Sequence, residues 1–172
     1  PQNPKTPTNE FFKNKFCNLI LNIKMSFPAF DMFHAHCAIK VVFETASCLH
    51  AFNTMKDDGY NWRPEPNGAK GIYEVYDATE EETLWVTRTT PTKKYVDDIS
   101  FNFIPPNTED FNVKGCTVEG KSRSRSLSYY DYSTNYCNMW NMFTSVGDEQ
   151  NKIEVTDCAW APTDPATTCT KY

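Results

Sequence analysis

The sequence predicts a disulfide-stabilised α+β domain in which one short amphipathic helix packs on an antiparallel sheet of four to six strands. Three observations lead there. Two-residue alternation of apolar and polar side chains over Ala38 to Glu44 gives way at once to helical periodicity over Ser47 to Asp57. Three further alternating stretches follow with only short polar reversals between them, which makes consecutive strands antiparallel, because parallel neighbours need crossovers of about a dozen residues or more. Seven cysteines are spread along the chain with no CxxC and no zinc-finger spacing, the pattern of a disulfide framework.

Residues 1–30 read as an extended or disordered lead-in and residues 31–172 as a single α+β domain. Pro1, Pro4 and Pro7 stand among polar residues. The apolar run Phe16 to Ile23 is broken by Asn18 and Asn22 and closed by Lys24, far short of the roughly 20 residues a membrane span requires. In the first strand Ile39, Val41 and Phe43 share a face. Thr45 or Ser47 is then placed to cap a helix whose stripe is Cys48, Ala51, Phe52 and Met55, with Gly59 expected as its left-handed C-terminal cap. Pro64, Pro66 and Gly68 make Asn61 to Lys70 a loop, anchored by Trp62.

The next strands are Gly71 to Tyr76, Thr83 to Thr89 and Tyr95 to Ile104. Their reversals are marked by Glu80-Glu81-Glu82 and Pro91, and the third is stopped by Pro105-Pro106-Asn107. Cys116 is expected in a loop. The stretch Ser124 to Trp140 is expected as the last main strand, with Leu127 and Tyr129 facing opposite to Ser128 and Tyr130. Ile153 and Val155 suggest an edge strand, and Cys158 and Cys169, with Pro162 and Pro165 between them, a C-terminal coil pinned by disulfides.

A chain of 172 residues can bury about 70% of its unfolded surface. Its 12 Phe, 9 Tyr and 4 Trp supply the mass for such a core. The net charge of −5 gives no electrostatic case for nucleic acid or anionic membranes. Disulfides imply an extracellular or other oxidising compartment. With an odd count, Cys17 is expected to be left over and Cys37, Cys48, Cys116, Cys137, Cys158 and Cys169 to be paired. Six cysteines allow 15 pairings and the sequence does not choose among them: Cys158 and Cys169 could close a local loop, and Cys137 could reach Cys48 or Cys116.

Catalytic signatures are absent: there is no G-x-S-x-G, and the six glycines form no phosphate-cradling cluster. Cys48 and His50 project about 200° apart on a helix, so they cannot act as nucleophile and base. Asp97 and Asp98 could flank a cleft. No cofactor is expected. His34 and His36 would share a strand face and could hold a metal, the alternative to an ordinary solvated edge. Lys121, Arg123 and Arg125 alternate with serines before Tyr129, Tyr130, Tyr132 and Tyr136. They could serve a single-stranded nucleic acid or a sulfated glycan, and read more simply as a strand edge defended by charge. Trp62, Trp85, Trp140 and Trp160 read as core and loop anchors, with Trp85, Tyr129, Tyr130 and Trp140 as ligand-binding candidates.

Trp62, Pro64, Asn67 and Tyr73 before the strands, with Tyr132-Ser133-Thr134-Asn135-Tyr136-Cys137-Asn138 after them, resemble small secreted cysteine-paired proteins without assigned activity. The likeness covers about residues 41–140 and brings no catalytic residue. Tyr129 to Cys137 is also similar to the tyrosine-rich late strand, ending in cysteine, of arthropod salivary lipocalins. Gly59-Tyr60-Asn61-Trp62 is similar to their Gly-x-Trp with one residue more, and this resemblance implies a small-ligand carrier. The chain is therefore expected to be a monomeric, secreted, non-enzymatic binding protein for a small apolar ligand, a glycan or an extracellular protein. The alternatives are a metal-dependent enzyme using His34 and His36, or a lipocalin-like carrier.

Overall fold

The structure is a computed structural model that describes residues 26–62, 71–80, 82–106, 110–148 and 151–172. The expectations for Pro1 to Lys24 including Cys17, and for Pro64, Pro66, Asn67, Gly68, Glu81 and Asn107, lie outside the described residues. β1 (His36–Ser47) leads without a break into α1 (Cys48–Asn61). A meander follows: β2 (Ile72–Glu80), β3 (Thr83–Thr89), β4 (Val96–Ile104) and β5 (Lys114–Ser124). After α2 (Thr134–Thr144) comes β6 (Lys152–Cys158), and the chain ends in the single turn α3 (Pro165–Thr168) and a 3₁₀ turn, Cys169–Lys171. The six strands form one antiparallel sheet in the order β2-β3-β4-β5-β1-β6, an α+β architecture.

Period-two alternation decides which face carries the helices. Cys37, Ile39, Val41 and Phe43 of β1 are buried together with Cys116 and Val118 of β5 and Ile99, Phe101 and Phe103 of β4. Phe52 of α1 meets Phe103 edge-on at 5.5 Å, and Phe143 of α2 meets Phe101 at 5.3 Å and Phe43 at 6.2 Å. Each such ring contributes roughly 1.5–3 kcal/mol by leaving water. Gly120 is where α2 seats on the sheet: a Cβ there would stand 2.9 Å from Met139 Sδ and 3.1 Å from Phe143 Cζ.

Three disulfides staple the layers. Cys48–Cys116 ties the first turn of α1 to β5, Cys37–Cys158 joins β1 to β6 where the two residues face each other in register, and Cys137–Cys169 holds the C-terminal turn against α2. All six cysteines expected to pair do so, and the connectivity left open by the sequence is not the one that its spacing suggested. Cys158 does not close a loop with Cys169, because it ends a strand beside β1, opposite Cys37. Nor does Cys137 reach Cys48 or Cys116, since those two already face each other across the helix–sheet contact.

The other face is covered in part by the segment before β1. Phe27 packs on Trp85 at 5.7 Å and Phe30 stacks on His36 at 4.3 Å. Trp85 donates its indole N–H to Asp98 at 3.1 Å, and Arg125 grips the same carboxylate with two bonds of 2.8 and 2.7 Å. Those bonds hold the Arg125 proton more tightly than usual.

Several expectations are corrected. The last main strand is Lys114–Ser124, not Ser124 to Trp140, so Cys116 lies in a strand and not in a loop. Leu127 to Tyr130 make only an isolated bridge, His34 with Ser128, and the end of the stretch is a second helix. Tyrosines and a β-like alternation concealed it. Ser47, rather than Thr45, caps α1, accepting from the N–H of His50 at 3.2 Å. Gly59 is not a C-cap, since α1 runs through it to Asn61; there it is buried, and a Cβ would meet Val75 at 2.8 Å. β5 is an interior strand, so its cations do not defend an edge. Arg123 instead pairs with Asp31 and Arg125 with Asp98.

Candidate functional site

β1 and β4 begin, and β3, β5 and β6 end, at the same end of the sheet. Residues 125–133 leave β5 there and cross that end before α2. The crossing is pinned by main-chain bonds: Ser124 N–H to Ala35 O (2.9 Å), Arg125 N–H to Val96 O (2.9 Å) and Ser128 N–H to Phe33 O (3.0 Å). It closes on two consecutive left-handed residues, Tyr132 (φ 51°) and Ser133 (φ 68°). For side chains with a Cβ this conformation costs roughly 1–2 kcal/mol each. It is offset by the start of α2, where the Asp131 carboxylate accepts from the Asn135 N–H (3.0 Å) and amide (2.7 Å) and the Asp131 carbonyl accepts from the Thr134 N–H (3.0 Å).

From Asp131 a buried polar chain runs between α2 and the sheet. Ser122 donates to Asn135 Oδ1 (2.6 Å), Asn138 donates to Ser122 (3.2 Å) and to Asp97 (2.9 Å), and Ser124 donates to Asp97 (2.7 Å). Arg88 lies cross-strand from Asp97, fully buried, with its guanidinium 5.8 Å from the ring of Tyr172. Asp97 and Asp98 thus do not flank a common cleft. As neighbours on one strand they point to opposite faces, Asp97 into this polar chain and Asp98 to Trp85.

Burial pushes the Asp131 carboxyl up to about 6 from its ordinary 3.8, while the bonds from Asn135 pull the other way. Because the folded value is the higher one, the stability contributed by protonated Asp131 is complete below its unfolded value and is lost as pH rises through about 6. Asp131→Asn removes this titration. Its unfolding free energy relative to the parent is expected to move by about 2 to 3 kcal/mol in the variant's favour between about pH 4 and about pH 7, measured by urea unfolding. A pH-independent difference would contradict this account of Asp131.

On one side of the crossing segment lies a cavity of about 340 Å³, bordered by Asp31, His34, His36, Asp131, Asp157 and Trp160 among others. On the other side lies one of about 320 Å³, bordered by Lys93, Tyr95, Asp97, Ser124, Tyr130 and Tyr132 among others. Ser128 and Asp131 belong to both. Exposed rings border both, Tyr129 and Trp160 the first and Tyr130 and Tyr132 the second. Tyr130 is 5.3 Å from Tyr129, 6.0 Å from Tyr132 and 6.0 Å from Trp160, and Tyr132 is 6.4 Å from Trp160. Tyr129 is 77% exposed, Tyr132 69% and Tyr130 57%, far above the residual exposure that core packing leaves.

No family model matches the chain, and no curated protein does. The site is therefore read from its geometry. Of the ligand-binding candidates, Tyr129 and Tyr130 stand together in the exposed group. Trp85 lies buried on the face opposite the helices, and Trp140 is half-buried on α2, stacked with Tyr136 at 6.3 Å. The fold does not bring these four together. Trp160, read from sequence as an anchor, joins the rings instead, because the β1–β6 pairing delivers the end of β6 to the same end of the sheet.

His34 and His36 do line one cavity, with their inner nitrogens engaged. His34 Nδ1 lies 2.7 and 2.9 Å from the two Asp31 oxygens, and His36 Nδ1 donates to the His34 carbonyl at 2.9 Å. The Arg123 guanidinium, then His34, hold the Asp31 carboxyl well below the usual range. His36 Nε2 faces Asp157 at 3.7 Å. Among the described residues, no group of three or more His, Cys, Asp or Glu is arranged to hold a metal ion, and no helix is long and apolar enough to cross a membrane.

Proposed function

We propose that this is a secreted, non-enzymatic binding protein whose ligand is a neutral glycan, held on the exposed rings of Tyr129, Tyr130, Tyr132 and Trp160. The observation that carries the reading is that these rings border two adjoining cavities whose walls mix apolar surface with carboxylates, hydroxyls and imidazoles. Sugars need both chemistries: an aromatic face against their C–H groups, and acceptors and donors for their hydroxyls. Asp157, His36 Nε2, Ser124 and Tyr95 supply the polar part. A small apolar ligand is less well served, because carboxylates and histidines border the cavity beside Trp160. A sulfated glycan is disfavoured by the net charge of −5 and by the pairing of Arg123 and Arg125 with Asp31 and Asp98. Three disulfides are compatible with an oxidising compartment, which supports secretion.

The test is intrinsic tryptophan fluorescence during titration with cello-, chito- and malto-oligosaccharides, a sulfated glycan and aliphatic lipids. Trp160 is 40% exposed and Trp85 only 9%, so a ligand on the rings should change the emission of the more exposed indole. Saturable change with a neutral oligosaccharide is expected. A response to lipid alone, to the sulfated glycan alone, or to none of the panel would overturn the reading.

A further inference from the structure

We infer that the two cavities are successive subsites for one extended ligand, a neutral oligosaccharide laid across the end of the sheet from β3 to β6. This rests on the glycan reading and specifies its ligand. Each cavity is at the small end of the range of about 300–1,000 Å³ usual for ligand pockets, so neither alone encloses a chain of several sugars. They are not independent pockets. Ser128 and Asp131 wall both, and Tyr130 of one and Trp160 of the other stand with ring centres 6.0 Å apart over the division. The strands they straddle, β3-β4-β5-β1-β6, are four inter-strand steps across, about 19 Å at about 4.8 Å each.

That span suits an oligomer and leaves a single sugar ring most of the surface untouched. Backbone strain also concentrates here. Among the described residues the non-glycine positive φ angles belong to Lys94, Tyr132 and Ser133, all in segments that border the second cavity.

Calorimetric titration of the full chain with β-1,4-linked glucose and N-acetylglucosamine oligomers, from mono- to hexasaccharide, tests this. Affinity is expected to rise by about tenfold or more from disaccharide to tetrasaccharide as the second subsite fills, and then to level off. Tyr95→Ala, at an exposed residue of the second cavity, should lower tetrasaccharide affinity about tenfold and leave disaccharide affinity within about twofold. Trp160→Ala should lower both. Unchanged thermal midpoints for these two surface variants confirm that they fold. Affinity that does not depend on length, or a Tyr95→Ala variant that binds every length like the parent, overturns the two-subsite inference while leaving the glycan reading intact. No binding at any length, with any of these sugars, overturns the glycan reading and this inference together.

Discussion

Replacing Cys48 and Cys116 together by alanine is expected to lower the unfolding free energy by about 4 kcal/mol. The bridge closes a loop of 68 residues, so its removal returns to the unfolded chain the freedom that the crosslink withheld. Both cysteines are buried between α1 and β5, and nothing polar is left unpaired by alanine, so the loss is conformational freedom and a little packing. The contact of Phe52 with Phe103 remains to hold α1 on the sheet, which is why the variant should unfold more easily but still fold. Cys137–Cys169 spans only 32 residues, and its removal should cost less, about 3.5 kcal/mol. Urea unfolding of parent and variants at one pH measures the differences. A loss below about 1 kcal/mol for the Cys48 and Cys116 pair would mean that the bridge is not formed. The effect is large against the about 5–15 kcal/mol that stabilises a typical domain.

The second large effect concerns binding. Tyr130→Ala combined with Trp160→Ala should weaken the best neutral oligosaccharide by about 30- to 1,000-fold, the equivalent of about 2 to 4 kcal/mol. Aromatic side chains in the middle of a recognition surface carry most of its energy, and these two rings occupy the division between the cavities. Both are largely on the surface, so stability should change by less than about 1 kcal/mol. Calorimetric titration separates the two quantities, with the Trp85 and Trp140 sites left as they are. Undiminished binding in the double variant would remove these rings from the site.

Much of the sheet was legible because its strands alternate cleanly. Ile99, Phe101 and Phe103 point to the helices and Asn102 to the opposite face, which is the pattern a half-buried strand must show. α1 was legible for a related reason, since Cys48, Ala51, Phe52 and Met55 form an apolar stripe and all four are buried. α2 was not. Its buried face includes Asn135 and Asn138, whose partners Ser122 and Asp97 come from β5 and β4, and polar residues satisfied by such distant strands look solvent-exposed in a local pattern. Met139, Met142 and Phe143 at three- and four-residue spacing were the available signal, overridden by the tyrosines before them. The cysteine partners were illegible for a topological reason: Cys37 meets Cys158 only because β6 lies beside β1. The same pairing carries Trp160 to Tyr130, so the three tyrosines of the aromatic group could be named together from sequence and Trp160 joins them only through the fold.

A heteronuclear NMR titration of the full chain with the neutral oligosaccharide that binds best locates the glycan on the molecule. Backbone and indole shifts are expected to concentrate in residues 126–134 and 157–160 and in residues 93–97 bordering the second cavity. Signals of Trp85 and Phe27, on the face of the sheet opposite the helices, should stay where they were. Perturbations centred on Trp85, or spread evenly over the chain with the Trp160 indole unmoved, would contradict that placement.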